Sequence, residues 1–181
     1  MLDRIDLLVL DVDGVLTDGR IVYESRGADV KAFHVLDGQA VKYWCRAGHE
    51  AAILSGRASP TVRRRAKELG IRTVVEDAKV KWPAFQKILK RLRRTADRVC
   101  YIGDDLPDLP VMARVGFAVA TVGAVEEVKR AAHYLTQHEG GAGAVREVVE
   151  LILKYQDRWD DLLLRYQEGR RRHESPRRPV R

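Results

Sequence analysis

Leu7-Leu8-Val9-Leu10-Asp11-Val12-Asp13-Gly14-Val15-Leu16-Thr17-Asp18-Gly19 is the stretch on which the reading of this chain turns. Four consecutive apolar residues end in two carboxylates one residue apart. An uninterrupted apolar run predicts a strand buried on both faces, as in a parallel sheet. Gly14 turns the chain at once, so both acids can reach the mouth of the sheet, where open α/β sheets bind ligands. A polar Asp-Gly turn after a strand accounts for Gly14 but not for an acid that closes a buried strand. Two carboxylates so close repel each other unless a cation lies between them, and a divalent metal is the usual one.

The surrounding pattern alternates strand and helix. Arg20–Tyr23 and Val30–Val35 predict a hairpin launched from the acidic loop. Asp37-Gly38 precedes a helical run, Gln39–Cys45, closed by Ala47-Gly48. Glu50–Leu54 is a second strand ending in Ser55-Gly56-Arg57. Ser59-Pro60 opens a helix that stops at Gly70. Arg72–Val75 is a third strand, followed by a helix from Trp82-Pro83 to about Leu92. Arg98–Ile102 is a fourth strand, ending in Gly103-Asp104-Asp105-Leu106-Pro107-Asp108. After a short helix to Arg114 come Gly116–Ala120 (strand), Val125–Ala132 (helix) and Tyr134–Thr136 (strand). Ala144–Tyr155 is a well-patterned helix behind a glycine-rich loop, and Trp159, Leu162, Leu163 and Tyr166 mark another. This order predicts an α/β fold, three-layered and Rossmann-like, with a mostly parallel sheet. Residues 1–155 form its domain, and 156–181 an extension that starts helical and ends in an unstructured Arg/Pro-rich tail.

Composition narrows the function. The chain has 181 residues, 45% hydrophobic and 33% charged, enough for one domain with a substantial core. Its net charge is +7, but the six arginines after Gly169 against Glu174 carry +5 of it, which leaves +2 for the rest. A nucleic-acid face on the globular part is therefore not expected. No apolar run is long enough for a membrane span and no secretory leader is visible. Cys45 and Cys100, in apolar surroundings, read as buried thiols, and a cytoplasmic location is expected.

Four strand ends collect the chemistry: Asp11 and Asp13; Ser55; Lys79 and Lys81; Asp104, Asp105 and Asp108. An acidic cluster for a hard cation, a hydroxyl donor and an ammonium suit a phosphoryl group, whose charge must be offset and whose oxygens need donors. Taken alone, Ser55 also fits a turn, Arg65 a solvated helix face within Arg63-Arg64-Arg65, and Asp105 an exposed loop.

The order D-V-D-G-V-L-T-D-G, L-S-G-R, K-V-K, G-D-D-L-P-D resembles the four motifs of the haloacid dehalogenase superfamily of phosphatases. K-A-F-H-V-L-D-G (31–38), G-D-D-L-P-D-L-P-V-M (103–112) and G-G-A-G-A-V-R-E-V (140–148) are similar to its capless branch, typified by 3-deoxy-D-manno-octulosonate 8-phosphate phosphatase. The resemblance implies a hairpin flap in place of a cap domain. It implies that Asp11 is the nucleophile and Asp13 the general acid and then base. Asp11, the Asp13 backbone carbonyl and Asp104 would hold Mg²⁺; Ser55 and Lys81 would bind the phosphoryl group; Asp105 and Asp108 would support the metal and Lys81. Its substrate-contacting positions match His34, Val35, Leu36, Asp37, Gly38, Lys42, Arg57 and Arg65. It implies a phosphorylated sugar acid as substrate and a homotetramer as assembly. An N-acylneuraminate 9-phosphate and a non-catalytic scaffold are the alternatives. Three positions depart from the branch, which usually has Asn at 34, Arg at 36 and Gly at 77; here they are His34, Leu36 and Asp77.

Overall fold

The computed structural model describes residues 2–25 and 29–173, with side chains through Gln167. The six-stranded sheet has the order β5-β4-β1-β6-β7-β8, with every pairing parallel. β1 (Leu7–Leu10) lies at the centre with all four residues buried, as the unbroken apolar run predicts. The chain adds β4 (Glu50–Leu54) and β5 (Thr73–Val75) on one side of β1. It then returns to add β6 (Val99–Gly103), β7 (Phe117–Ala120) and β8 (Tyr134–Leu135) on the other. The strand order therefore reverses between β1 and β6, which opens a crevice at their carboxyl ends. Leu10 sits abreast of Ile53 and Ile102, so Asp11, Ser55 and Asp104 all emerge at that edge.

Alternation along β1 splits the core. Leu8 and Leu10 face one layer with Val41, Trp44, Val148 and Ile152, from α1 (Val35–Arg46) and α6 (Ala144–Tyr155). Leu7 and Val9 face the other with Phe85, Ile88 and Met112, from α3 (Lys81–Leu92) and α4 (Leu109–Met112). α2 (Pro60–Leu69) has the expected termini: the Ser59 hydroxyl accepts from the Val62 amide, and Gly70 closes it at φ 80°. α5 (Glu126–Ala131) joins β7 to β8.

Beyond shifts of one or two residues at element ends, three boundaries differ from the sequence reading. α1 begins at Val35 rather than after Gly38, so Asp37 lies in its first turn. The hairpin is shorter, with β2 (Val22–Tyr23) antiparallel to β3 (Asp29–Val30), because the chain after Val30 leaves the ladder to feed α1. α7 (Trp159–His173) continues past Gly169, from which an unstructured end is expected. Residues 174–181, which hold the expected Arg/Pro-rich tail, lie outside the described residues, as do residues 26–28. Among the described residues no helix is long and apolar enough to cross a membrane, and Cys45 and Cys100 are free.

Candidate active site

Asp11 ends β1 and is 7% exposed. Its Oδ2 lies 2.8 Å from the Lys81 ammonium, which also donates to Asp108 Oδ1 at 2.5 Å. Lys81 occupies the first turn of α3, where a cation meets the positive end of the helix dipole. Its two carboxylate partners outweigh that cost: burial opposes its charge, but Asp11 and Asp108 still raise its pKa. Asp108 is fully buried. It accepts from Lys81, from the Tyr101 hydroxyl and from the amides of Asp104 and Asp105. Lys79 points elsewhere, to Asp77 at 2.9 Å and the Gly56 carbonyl at 3.1 Å. The tertiary structure thus selects Lys81 over Lys79 as the buried cation. Asp77 adopts φ 55°, the left-handed region. That accounts for a glycine at this position in the resembling branch, and aspartate is among the residues that tolerate it.

Asp104, at the end of β6, leans across Gly14. A Cβ on Gly14 would stand 2.0 Å from Asp104 Oδ2, and Gly14 itself has φ 83°, so both space and backbone require glycine. Asp104 Oδ1 is buried with no hydrogen-bond partner. Oxygens of Asp11, Asp104 and Asp108 lie within 4.8 Å of one another. Burial first, then the charges of Asp11 and Asp108, push the Asp104 carboxyl up to about 8. Burial, with a smaller contribution from Asp108 and against the pull of Lys81, pushes Asp11 up to about 6. An orphaned buried oxygen and two crowded acids fit a divalent cation with oxygen ligands. Since Asp108 is occupied by four donors, Asp11 and Asp104 are the carboxylates free to hold it. Asp105 stands apart from this cluster and caps the next turn, accepting from the Leu106 amide at 2.8 Å.

Ser55, buried at the end of β4, accepts from the Arg57 amide at 3.2 Å, which leaves its own proton to donate. Asp13 pairs with Lys31 through Oδ1, and its Oδ2 lies 4.0 Å from Arg57 Nε. Arg57 also donates to the Tyr23 hydroxyl at 3.0 Å. A cleft of about 400 Å³ opens onto Asp11, Asp13, Ser55, Arg57, Lys81 and Asp104.

The remaining candidates lie outside this cleft. Arg65 donates to the His34 carbonyl at 3.3 Å and stacks 5.6 Å from Phe33. His34 Nδ1 is buried without a hydrogen-bond partner, 3.9 Å from Asp37 Oδ2, and Val35 and Leu36 are exposed. Lys42 is half-buried on α1, whose Gly38 packs against Arg65. Asp37, 1% exposed, accepts from the amides of Gly143 at 3.2 Å and Arg146 at 2.9 Å, so it caps α6. Three contributors are absent from the sequence reading. Lys31 and Tyr101 bind Asp13 and Asp108, and Thr121 donates to the Gly14 carbonyl at 3.2 Å. Lys31 stands within the quoted 31–38 motif; Tyr101 and Thr121 carry no local signal, since each lies at an apolar strand.

Comparison with protein-family models matches residues 21–116 to the haloacid dehalogenase-like hydrolases. The 3-deoxy-D-manno-octulosonate 8-phosphate phosphatase of Yersinia pestis is 42% identical over 155 residues, 86% of this chain and 83% of that one. The chain belongs to this family of haloacid dehalogenase-like phosphatases. Two solved members of the family share its fold. The enzyme from Moraxella catarrhalis, crystallised with magnesium, phosphate and KDO, has a TM-score of 0.89 and 41% identity, covering 91% of this chain and 95% of that one. A cobalt-bound form from Haemophilus influenzae has a TM-score of 0.84 and 40% identity, covering 86% and 91%. The family is one of phosphomonoester hydrolases, and its α/β fold is the one described above.

Proposed function

We propose that this protein is a Mg²⁺-dependent phosphatase that hydrolyses 3-deoxy-D-manno-octulosonate 8-phosphate to the free sugar acid and phosphate. The observation that carries it is Lys81 bridging Asp11 and Asp108 beside the unpartnered Asp104 oxygen, in a cleft shared with Ser55. Identity to named phosphatases supports the substrate.

Asp11, Asp104 and the Asp13 backbone carbonyl would hold Mg²⁺, which offsets phosphoryl charge and keeps the carboxylates ionised. Lys81 and Ser55 bind phosphoryl oxygens. Asp11 attacks phosphorus and becomes an aspartyl-phosphate. The bond to the ester oxygen breaks, and Asp13 gives that oxygen its proton. Asp13 then takes a proton from the water that attacks the phosphorus, which frees phosphate and restores Asp11. Arg57, beside Asp13, is placed to bind the sugar acid's carboxylate by its planar fork.

His34, Val35, Leu36, Lys42 and Arg65 contribute to substrate binding in this reading only across a contact between copies, because they do not line their own chain's cleft, whereas Asp37 and Gly38 are buried and act through the fold of α1. We take the assembly to be of four copies, as the resemblance implies; the apolar surface of the hairpin and its exit, where Ile21, Val22, Tyr23, Val30, Val35 and Leu36 are all exposed, supports contact between copies but not their number. Free thiols are in keeping with the cytoplasm.

Asp11→Asn is expected to abolish turnover with Mg²⁺ present, and chelation to abolish it in the wild type. Retained turnover in Asp11→Asn rejects the covalent mechanism. Higher kcat/KM for N-acylneuraminate 9-phosphate than for the eight-carbon substrate rejects the substrate. Light scattering is expected to give four times the 20.5 kDa chain mass.

A further inference from the structure

The hairpin that flanks the cleft does more than cover it. Lys31 follows β3 directly, and its side chain is only 2% exposed although the strands beside it face solvent. Its ammonium pairs with Asp13 Oδ1 and lies 3.7 Å from Asp29 Oδ2. The other Asp29 oxygen accepts from the Ser59 hydroxyl at 3.0 Å, and the Asp29 carbonyl accepts from Thr61 Oγ1 at 3.3 Å. Ser59 in turn is the cap of α2, and its amide donates to Glu76 at 2.8 Å. The base of the hairpin is thus pinned to a rigid helix terminus, and that pin holds Lys31 against one oxygen of Asp13. Arg57, at 4.0 Å from the other oxygen, is 44% exposed and can swing; Lys31, buried, cannot.

The geometry points to Lys31 as a positioning residue for proton transfer by Asp13, through which the hairpin becomes part of the catalytic apparatus. This rests on the reading of Asp13 as general acid. As the ester bond to phosphorus breaks, its electron pair goes to the leaving oxygen and the Asp13 proton follows. The carboxylate left on Asp13 faces the buried Lys31 ammonium, and this ion pair stabilises the charge that forms. A buried lysine held to one of the two Asp13 oxygens also fixes which oxygen of Asp13 remains free to carry the proton.

The test separates aryl-containing leaving groups by their basicity. Benzyl phosphate leaves as an alkoxide and requires a proton; 4-nitrophenyl phosphate leaves as a stable phenolate and does not. For Lys31→Met and the polar Lys31→Gln, each assayed with Mg²⁺, kcat/KM is expected to fall at least about tenfold on benzyl phosphate and less than about threefold on 4-nitrophenyl phosphate, a part of the 10²–10⁴ that general acids supply. Lys31→Arg is expected to recover most of the loss. Asp13→Asn is expected to show the same split, and a larger one. Equal losses on both esters in the Lys31 variants, with the split intact in Asp13→Asn, overturn the role of Lys31 and leave that of Asp13 standing. No split in Asp13→Asn overturns both. Because Lys31 is a buried, ion-paired lysine, circular dichroism and thermal melts check that each variant keeps its fold, and the charge-retaining Lys31→Arg carries the comparison if the neutral variants unfold.

Discussion

Asp108 Oδ1 accepts a hydrogen bond from the Lys81 ammonium at 2.5 Å, in a place where Asp108 is wholly buried and the Lys81 side chain 4% exposed. Removing the cation leaves Asp11 and Asp108 as uncompensated neighbours. Lys81→Met is therefore expected to cost about 3–5 kcal/mol, the usual result of breaking a buried pair. Turnover is expected to fall by about 10²–10³, as for loss of one donor to a transition state. Urea unfolding and initial rates with an aryl phosphate measure the two. A stability within 1 kcal/mol of wild type, on the order of a surface substitution, rejects the buried pair.

Gly14→Ala is the smallest change aimed at the cleft. It places a methyl group 2.0 Å from Asp104 Oδ2 on a backbone at φ 83°. Asp104 must rotate away, and misplacement by about 1 Å costs about a hundredfold in rate. Calorimetric Mg²⁺ titration is expected to show weaker binding alongside the lost turnover. Unaltered Mg²⁺ affinity sinks the assignment of Asp104 as a ligand.

The acids give the metal a pH signature. Asp104 is pushed up to about 8 and Asp11 to about 6 from 3.8, in both cases chiefly by burial. Raised carboxyl pKa values mean that the fold binds these protons more tightly than the unfolded chain does. Without metal, their contribution to stability is therefore lost as pH rises through that range. A bound cation reverses the loss, so the gain in melting temperature from Mg²⁺ over chelator is expected to grow from about pH 5 to about pH 8 and then level. Thermal melts in paired buffers measure it; a gain independent of pH excludes these carboxylates as ligands.

Asp37 caps a helix that is distant in sequence. The cap position of α6 is Gly143, at φ 115° and without a side chain to cap the helix, and Asp37 of α1 accepts from the amides of Gly143 and Arg146. Asp37→Ala is expected to cost about 1–2 kcal/mol, and Asp37→Asn less, since one acceptor oxygen survives. Chemical denaturation tests the order; equal stability of both variants and the wild type removes the capping role.

The strand ends were legible because their signal is local. An apolar run closing in an acid, as at Leu7–Asp11 or Val99–Asp104, states both burial and chemistry within a few residues, and Ser59-Pro60 with Gly70 states both ends of a helix. The hairpin and α1 boundaries were less so. Asp37-Gly38 has the composition of a turn, yet Asp37 turns inward to cap α6, and packing between α1 and α6 carries the helix two residues further back than Asp37.

By itself, then, the sequence determined the alternation of strands and helices, the carboxylates at the sheet's edge and the family whose motifs they match. The motif resemblance favours Lys81, but which lysine lies against Asp11 is seen only in the fold. Lys79 and Lys81 are alike in chemistry, and only the start of α3 turns one toward Asp11 and the other toward Gly56. Lys31 and Asp13, eighteen residues apart, meet because Asp29 ties the hairpin to α2. Tyr101 reaches Asp108 because the turn after β6 folds Asp108 back against the buried strand. A charged side chain's role depends on which partner it meets in low dielectric, and the three-dimensional path of the chain, not its local pattern, sets that meeting.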